Sequence, residues 1–294
     1  MQAIRRLRNA TAFAVLMVAV ALLTGCGGKK NVWGDPESGL ILEYRMEPGD
    51  VLKYEISSEG EEITQVMGQS YESGTSKTLV FSLEAKGVED GNHRLGITIE
   101  SLEAGMVTAQ GQFSADTEEL PGQKFDMILS VLGEEMDLGE AESIEYGIGP
   151  MGSRSIKPDF QEVFPDLPTK PVKVGDSWVT TDEVGADQGN VTIVISTESV
   201  NTLAGYETMN GLKCAKITAG VTGTVTGEGE QMGAPLTLEG TLKGTETWYF
   251  AYEKGYPVEI NSEVDSDIIA TVQAGQKMEI PVKGKTTITT KLIE

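Results

Sequence analysis

The chain has 294 residues, with 45 Asp+Glu against 23 Lys+Arg, a formal net charge of −22, one histidine and two cysteines. A surface this acidic repels phosphate backbones, so nucleic-acid binding is not expected, and docking of the folded body on anionic lipid is disfavoured. One histidine, His93, removes most metal-site and Ser-His-Asp schemes, so neither a metal nor a cofactor is expected.

Residues 1–25 have the three-part form of a secretory leader. Arg5, Arg6 and Arg8 give a positive start, and Thr11 to Leu23 is an uncharged run of thirteen residues. A helix needs about 20 apolar residues to cross a bilayer core, so this run is too short to span. It ends in Leu23-Thr24-Gly25-Cys26, a quartet that resembles a bacterial lipobox. The resemblance implies recognition of Leu23, Thr24 and Gly25 by signal peptidase II and cleavage before Cys26. Cys26 then carries a diacylglycerol thioether and an amide-linked third chain, palmitate being typical. Several chains are needed because each buried CH₂ gives about 0.8 kcal/mol and a single chain anchors only marginally. Gly27 stands where an Asp would retain the protein at the inner membrane. The expected location is therefore the cell envelope, lipid-anchored, at the outer membrane where the organism has two. With Cys26 acylated, Cys214 has no disulfide partner.

Residues 26–39 read as a flexible tether, in which Trp33 either sits at the membrane interface or caps the domain. A first β half spans 40–115. Leu40–Glu47 and Val51–Ser57 flank the turn Pro48-Gly49-Asp50. Thr75–Val88 and Arg94–Glu103 form a hairpin about Glu89–His93, which puts His93 in a solvated turn. Residues 116–170 break the alternation and form a connector. Phe125, Ile128, Leu129 and Leu132 stand at helical spacing between Pro121 and Gly133, predicting one helix of about three turns over 121–133. Pro165, Pro168 and Pro171 then force extended backbone.

The second β half, 171–294, alternates cleanly. Val258, Ile260, Val264, Ile268, Ala270 and Val272 share one parity, while Glu259, Asn261, Glu263, Asp265 and Asp267 fill the other. Such strands have one buried and one wet face. Glu47-Pro-Gly-Asp50 is echoed by Lys173-Val-Gly-Asp176, which suggests two related halves.

One short helix cannot cover so much apolar sheet, so the sheet must curl on itself. The fold class expected is all-β with minor α: a long-stranded, strongly curled antiparallel sheet or half-barrel with one short helix. Leu42-Glu-Tyr-Arg-Met-Glu-Pro-Gly-Asp50, Phe164-Pro-Asp-Leu-Pro168 with Val174-Gly-Asp-Ser-Trp178, and Gly244-Thr-Glu-Thr-Trp-Tyr-Phe250 are similar to a family of uncharacterised bacterial lipoproteins, domain of unknown function 6263. These are strand-and-turn signatures, and the resemblance implies no activity. The architecture also resembles the curled-sheet envelope lipoproteins that carry acyl chains.

No phosphate loop, dinucleotide fingerprint, Gly-x-Ser-x-Gly or His-Glu-x-x-His occurs. Asp265 and Asp267 have the chemistry of calcium ligands or glycosidase carboxylates, but their parity places them on the wet face. Gly223, Gly227, Gly229 and Gly233 read as turn and bulge positions. Cys214 shares the wet parity, which points to a bulge or to shielding by the helix. The candidate ligand surface is the apolar face Val258, Ile260, Val264 and Ile268, closed at one end by Phe125 and Leu132 of the helix. Ser262, Ser266, Gly284 and Thr286 on the same face leave room for a cavity. The expected function is non-enzymatic: a membrane-anchored envelope lipoprotein that binds a hydrophobic small molecule or an envelope protein. The rivals are a structural or surface-interaction module with a filled core and, further off, a carboxylate-based hydrolase.

Overall fold

The structure is a computed structural model that describes residues 33–149, 152–161, 163–188, 190–231 and 233–294. The leader and the lipobox residues Leu23, Thr24, Gly25 and Cys26 lie outside the described residues.

Long alternating runs produce long strands. The chain order is β1 (Gly34–Asp35), β2 (Gly39–Leu40), β3 (Val51–Val66), β4 (Gln69–Glu89), β5 (Asn92–Thr108), β6 (Gly111–Asp116), β7 (Lys124–Leu129), β8 (Glu135–Asp137), β9 (Glu145–Ile148), β10 (Ser153–Ser155), β11 (Ser177–Gln188), β12 (Val191–Met209), β13 (Leu212–Gln231), β14 (Ala234–Ala251), β15 (Tyr256–Ala274) and β16 (Gln276–Leu292). Fourteen of them make one antiparallel sheet, in the order β10-β9-β6-β5-β4-β3-β16-β15-β14-β13-β12-β11, with β7 and β8 branching from β5. The last strand lies against the first long one: Leu292 faces Tyr54 and Val282 faces Thr64. Twist accumulated over this many strands curls the sheet into a half-barrel. It is not closed, because β10 and β11 end the path without pairing to each other.

The two halves open on the same turn. Asp50 Oδ2 accepts from Glu47 N at 2.8 Å, and Asp176 Oδ2 accepts from Lys173 N at 2.9 Å. Gly49 N donates to Ala85 O and Gly175 N to Leu203 O, each at 2.8 Å. Each half then turns back through a tight hairpin, Asp90-Gly91 in one and Asn210-Gly211 in the other, with both central residues at positive φ. That is the hairpin turn whose twist matches the strands, and Asp-Gly and Asn-Gly are its preferred pairs. A bulge precedes each hairpin, at Ala85/Gly87 and at Leu203/Gly205. The sequence echo is thus repeated bond for bond.

One end of the half-barrel is plugged. Residues 41–47, expected as a strand, run extended through the lumen without joining the sheet ladder. Alternate side chains Leu40, Leu42, Tyr44 and Met46 are buried. Tyr44 N bonds Val131 O and Arg45 N bonds Gly255 O, while the Tyr44 ring stands edge-on to Phe164 and Phe250. Trp33 packs on the same core, as a domain cap does.

The expected helix over 121–133 is absent; the described residues hold short 3-10 turns at Ala141–Ser143 and Lys157–Phe160. Lys124–Leu129 is β7, paired with Thr98–His93 of β5. Its buried residues are Phe125, Met127 and Leu129, a period of two, with Ile128 half-buried between them. In so short an apolar run both periods fit, and the free inner edge of β5 decided for strand. His93 is also corrected. It follows the turn but points inward and is buried, with Nε2 2.9 Å from Tyr44 O.

Candidate functional site

Beyond the plug, toward the turns Met67-Gly68, Gly233 and Gly275, no described segment crosses the concave face, although side chains of the sheet itself bury Val184, Val225, Leu236 and Val272 there. There Val191, Ile193 and Ile195 of β12, Leu238 and Leu242 of β14, Val264 and Ile268 of β15, and Ile280 and Val282 of β16 all point inward and remain half-buried. This is an apolar trough, open at one end and stopped at the other.

Inward-facing glycines shape it. Gly223 lies opposite Leu242 and Gly227 opposite Leu238; Gly240 lies opposite Ile268 and Gly244 opposite Val264. A Cβ at Gly223 would stand 2.4 Å from Ser196 O, and one at Gly240 2.6 Å from Asp267 O. Glycine therefore lets the sheet curl tightly while a large aliphatic neighbour lies across the gap. Gly223, Gly227 and Gly229 sit inside β13 and are not turn positions; Gly233 is one, with φ +79°.

Where trough meets plug there is a cavity of about 380 Å³, within the usual range for small-molecule sites. Ile56, Ile195, Val221, Leu242, Ile260, Val264 and Ile288 give it apolar ribs. Pro158, Phe164 and Pro165 of the connector roof it. Ser58, Thr197, Ser199, Asn201, Ser262, Thr286 and Thr290 line the floor with polar groups.

Of the candidate residues, Ile260 and Val264 line this cavity, and Ile268 lies further along the same trough, half-buried. The other three are corrected. A register shift near Tyr249/Phe250 sets Phe250 opposite Pro257 and Tyr249 opposite Glu259. Val258 is the residue between, and it turns to the convex side. There it joins Cys214 and Ala251 in a separate small cluster, which also explains why Cys214 is buried despite its outward parity. Phe125 packs under the roof against Phe160, ring centroids 4.9 Å apart. Leu132 rests half-buried on the plug core, its carbonyl accepting from Leu167 N. Neither lines the cavity.

The cavity wall also carries acids that the pattern of motifs did not single out: Glu135, Asp166, Asp182 and Glu246. Burial raises Glu135 to about 9, even though it accepts from Phe164 N at 3.2 Å; Asp166 and Asp182 add repulsion. Burial, then the neighbouring Asp182 charge, raises Glu246 to about 7 and Asp166 to about 6. Burial alone raises Asp182. One lining cation, Lys77, is taken by Asp159 across the roof. Among the described residues no three His, Cys, Asp or Glu side chains converge as metal ligands do. Asp182 and Glu246 were open to a parity argument, since each holds an inward position in its strand. Glu135 and Asp166 belong to the connector, where no period exists to place them.

The convex face is charged. Asp265 and Asp267 are exposed there, as their parity indicated, with Lys283 3.3 Å from Asp267 and Lys285 3.4 Å from Glu263. Ile63, Val179, Val200 and Ile269 are exposed on this face as well, while the other large apolar residues of the long strands face mostly inward.

No protein-family model matches the chain, and no curated protein is significantly similar to it. Among solved structures, OccK2 (OpdF) of Pseudomonas aeruginosa in complex with glucuronate aligns over 83% of this chain and 99% of its own, at 6% identity and a TM-score of 0.25. A second structure of OccK2 (OpdF) aligns over 83% and 98%, at 7% identity and a TM-score of 0.23. OmpT, an outer membrane protein of Vibrio cholerae, aligns over 83% and 100%, at 10% identity and a TM-score of 0.14. Scores this low carry no argument about function.

Proposed function

We infer that this chain is a non-enzymatic lipoprotein of the bacterial envelope, held by acylated Cys26, whose curled sheet carries an elongated hydrophobic ligand. One observation carries the reading: a sheet face of half-buried inward Ile, Val and Leu that no other described segment covers. Aliphatic surface left in water costs about 25 cal/mol per Å², and contiguous apolar surface that stays partly exposed marks a binding surface. The plug at one end and the glycine-fitted leucines give the trough a fixed shape before any ligand arrives, which lowers the cost of binding. The charged convex face keeps the loaded body in water.

Titration with a fluorescent fatty acid tests the binding. The parent protein should bind it saturably. Ile260→Trp should fill the cavity and abolish uptake with little change in melting temperature. Absence of binding by the parent, together with destabilisation of Ile260→Trp by about 1–3 kcal/mol, would instead indicate a filled interaction module. For the anchor, Cys26→Ala should leave the Triton X-114 detergent phase; unchanged partitioning contradicts it.

The acids in the cavity favour one second reading, the carboxylate-based hydrolase, since raised carboxyl groups can act as general acids. Turnover of nitrophenyl glycosides or esters that is lost in Glu246→Gln would support it.

A further inference from the structure

We propose that the chamber between plug and trough is a head-group site for a protonated amine, so that the ligand is a cationic amphiphile. This rests on the trough reading above and names the class of ligand. Alkyl chain and head are separated in the structure as they are in such a molecule. The trough toward the open end presents aliphatic side chains, whereas the chamber presents Asp182 from β11, Glu246 from β14, and Glu135 and Asp166 from the connector. These acids come from three directions around one space. Among the described lining residues the one cation, Lys77, is committed to Asp159, so the four acids have no other described cation in the wall.

A second observation points to a missing partner in the same space. Thr290 lines the chamber, is only 7% exposed, and its hydroxyl has no hydrogen-bond partner among the described residues. Buried polar groups are normally satisfied. Glu246, two strands away on β14, likewise accepts no hydrogen bond among the described residues. Asn201, 3% exposed, spends its amide hydrogens on Thr180 Oγ1 and Ser199 O. An ammonium group has three donors and no acceptor. Set between Asp182 and Glu246, in the chamber that Thr290 also lines, it would satisfy groups that a fatty-acid carboxylate would leave unpaired and repel. The acids are spread around the wall and do not converge on a point, which suits an organic cation better than a metal ion. Burial raises all four carboxyl groups and so favours their neutral forms; a bound ammonium would favour the charged ones.

Three probes of equal chain length separate head from tail: dodecylamine, dodecanol and dodecanoate, titrated by calorimetry near pH 7 below their aggregation limits. Dodecanol reports on the trough alone. We expect dodecylamine to bind at least about tenfold tighter than dodecanoate, with dodecanol between them. The double variant Asp182→Asn, Glu246→Gln removes charge without changing size. It should erase the preference for the amine while dodecanol binding stays within about twofold. Because burial penalises both charges, its melting temperature should not fall. Dodecanol binding with no preference for the amine, or a preference that survives the double variant, overturns the head-group assignment and leaves the trough standing. Failure of all three probes to bind overturns both.

Discussion

Glu135 shows how one side chain couples the cavity to stability. Its folded value of about 9 lies far above the usual 4.5, and burial is the main cause. Between these values the folded protein holds a proton that the unfolded chain releases. Stability from this group is therefore full below about pH 4.5 and declines as pH rises through the folded value, by up to about 1.4 kcal/mol per pH unit. Asp166 and Glu246 act the same way but finish near 6 and 7, so Glu135 dominates from pH 7 to 9. Glu135→Gln keeps an oxygen for Phe164 N and removes the titration. Its melting temperature should be flat across pH 7 to 9 where the parent's falls, and parallel curves would contradict the assignment. At this scale the sequence was partly legible. Parity set Ile260, Val264, Asp265 and Asp267 on their correct faces. Val258 was misplaced because one extra residue at a bulge reverses every side chain up to the next ladder pair, and alternation alone passes over the one local mark of it, Pro257 inside a strand.

Among elements, the glycine columns of β13 and β14 make the sharpest claim. If Gly223 is required for the curl, Gly223→Ala must push against Ser196 O and Leu242, and should cost about 1–3 kcal/mol. Gly220 lies in the same strand on the convex face with nothing within 4 Å of an added Cβ. Gly220→Ala should be neutral or stabilise by up to about 1 kcal/mol. Equal effects in thermal melts would show that the curl does not depend on the inner glycines. Long strands were legible as elements because each repeats its period many times. The connector was not. Phe125-Asp-Met-Ile-Leu129 is too short to distinguish periods, and its state depends on an open edge of β5 that belongs to another part of the chain. The plug segment 40–46 alternates like a strand, yet its backbone bonds go to Val172, Val131 and Gly255 in loops, a tertiary choice invisible locally.

For the whole molecule, the repeated turn-strand-bulge-hairpin unit explains why two halves with little sequence in common build one continuous sheet. Each half begins at the plugged end with an Asp-closed turn and sends its strands toward the open end. The trough is the space that two such curled units enclose when β16 joins β3. That enclosure was legible in outline, since more apolar sheet was present than any helix could cover. The acidic chamber was not, since it needs the connector folded over the sheet. The central claim is that the uncovered concave face is the binding surface. Photolabelling with an alkyl diazirine, followed by peptide mass spectrometry of the labelled protein, tests it most directly. Labels should fall on inward positions of β12 to β16, including Ile195, Leu242, Val264 and Ile268, and should be lost to competition by excess unlabelled alkyl ligand. Labels confined to the convex cluster around Val258 and Tyr249, to the exposed hairpin tip at Met67, or spread without competition would contradict the account.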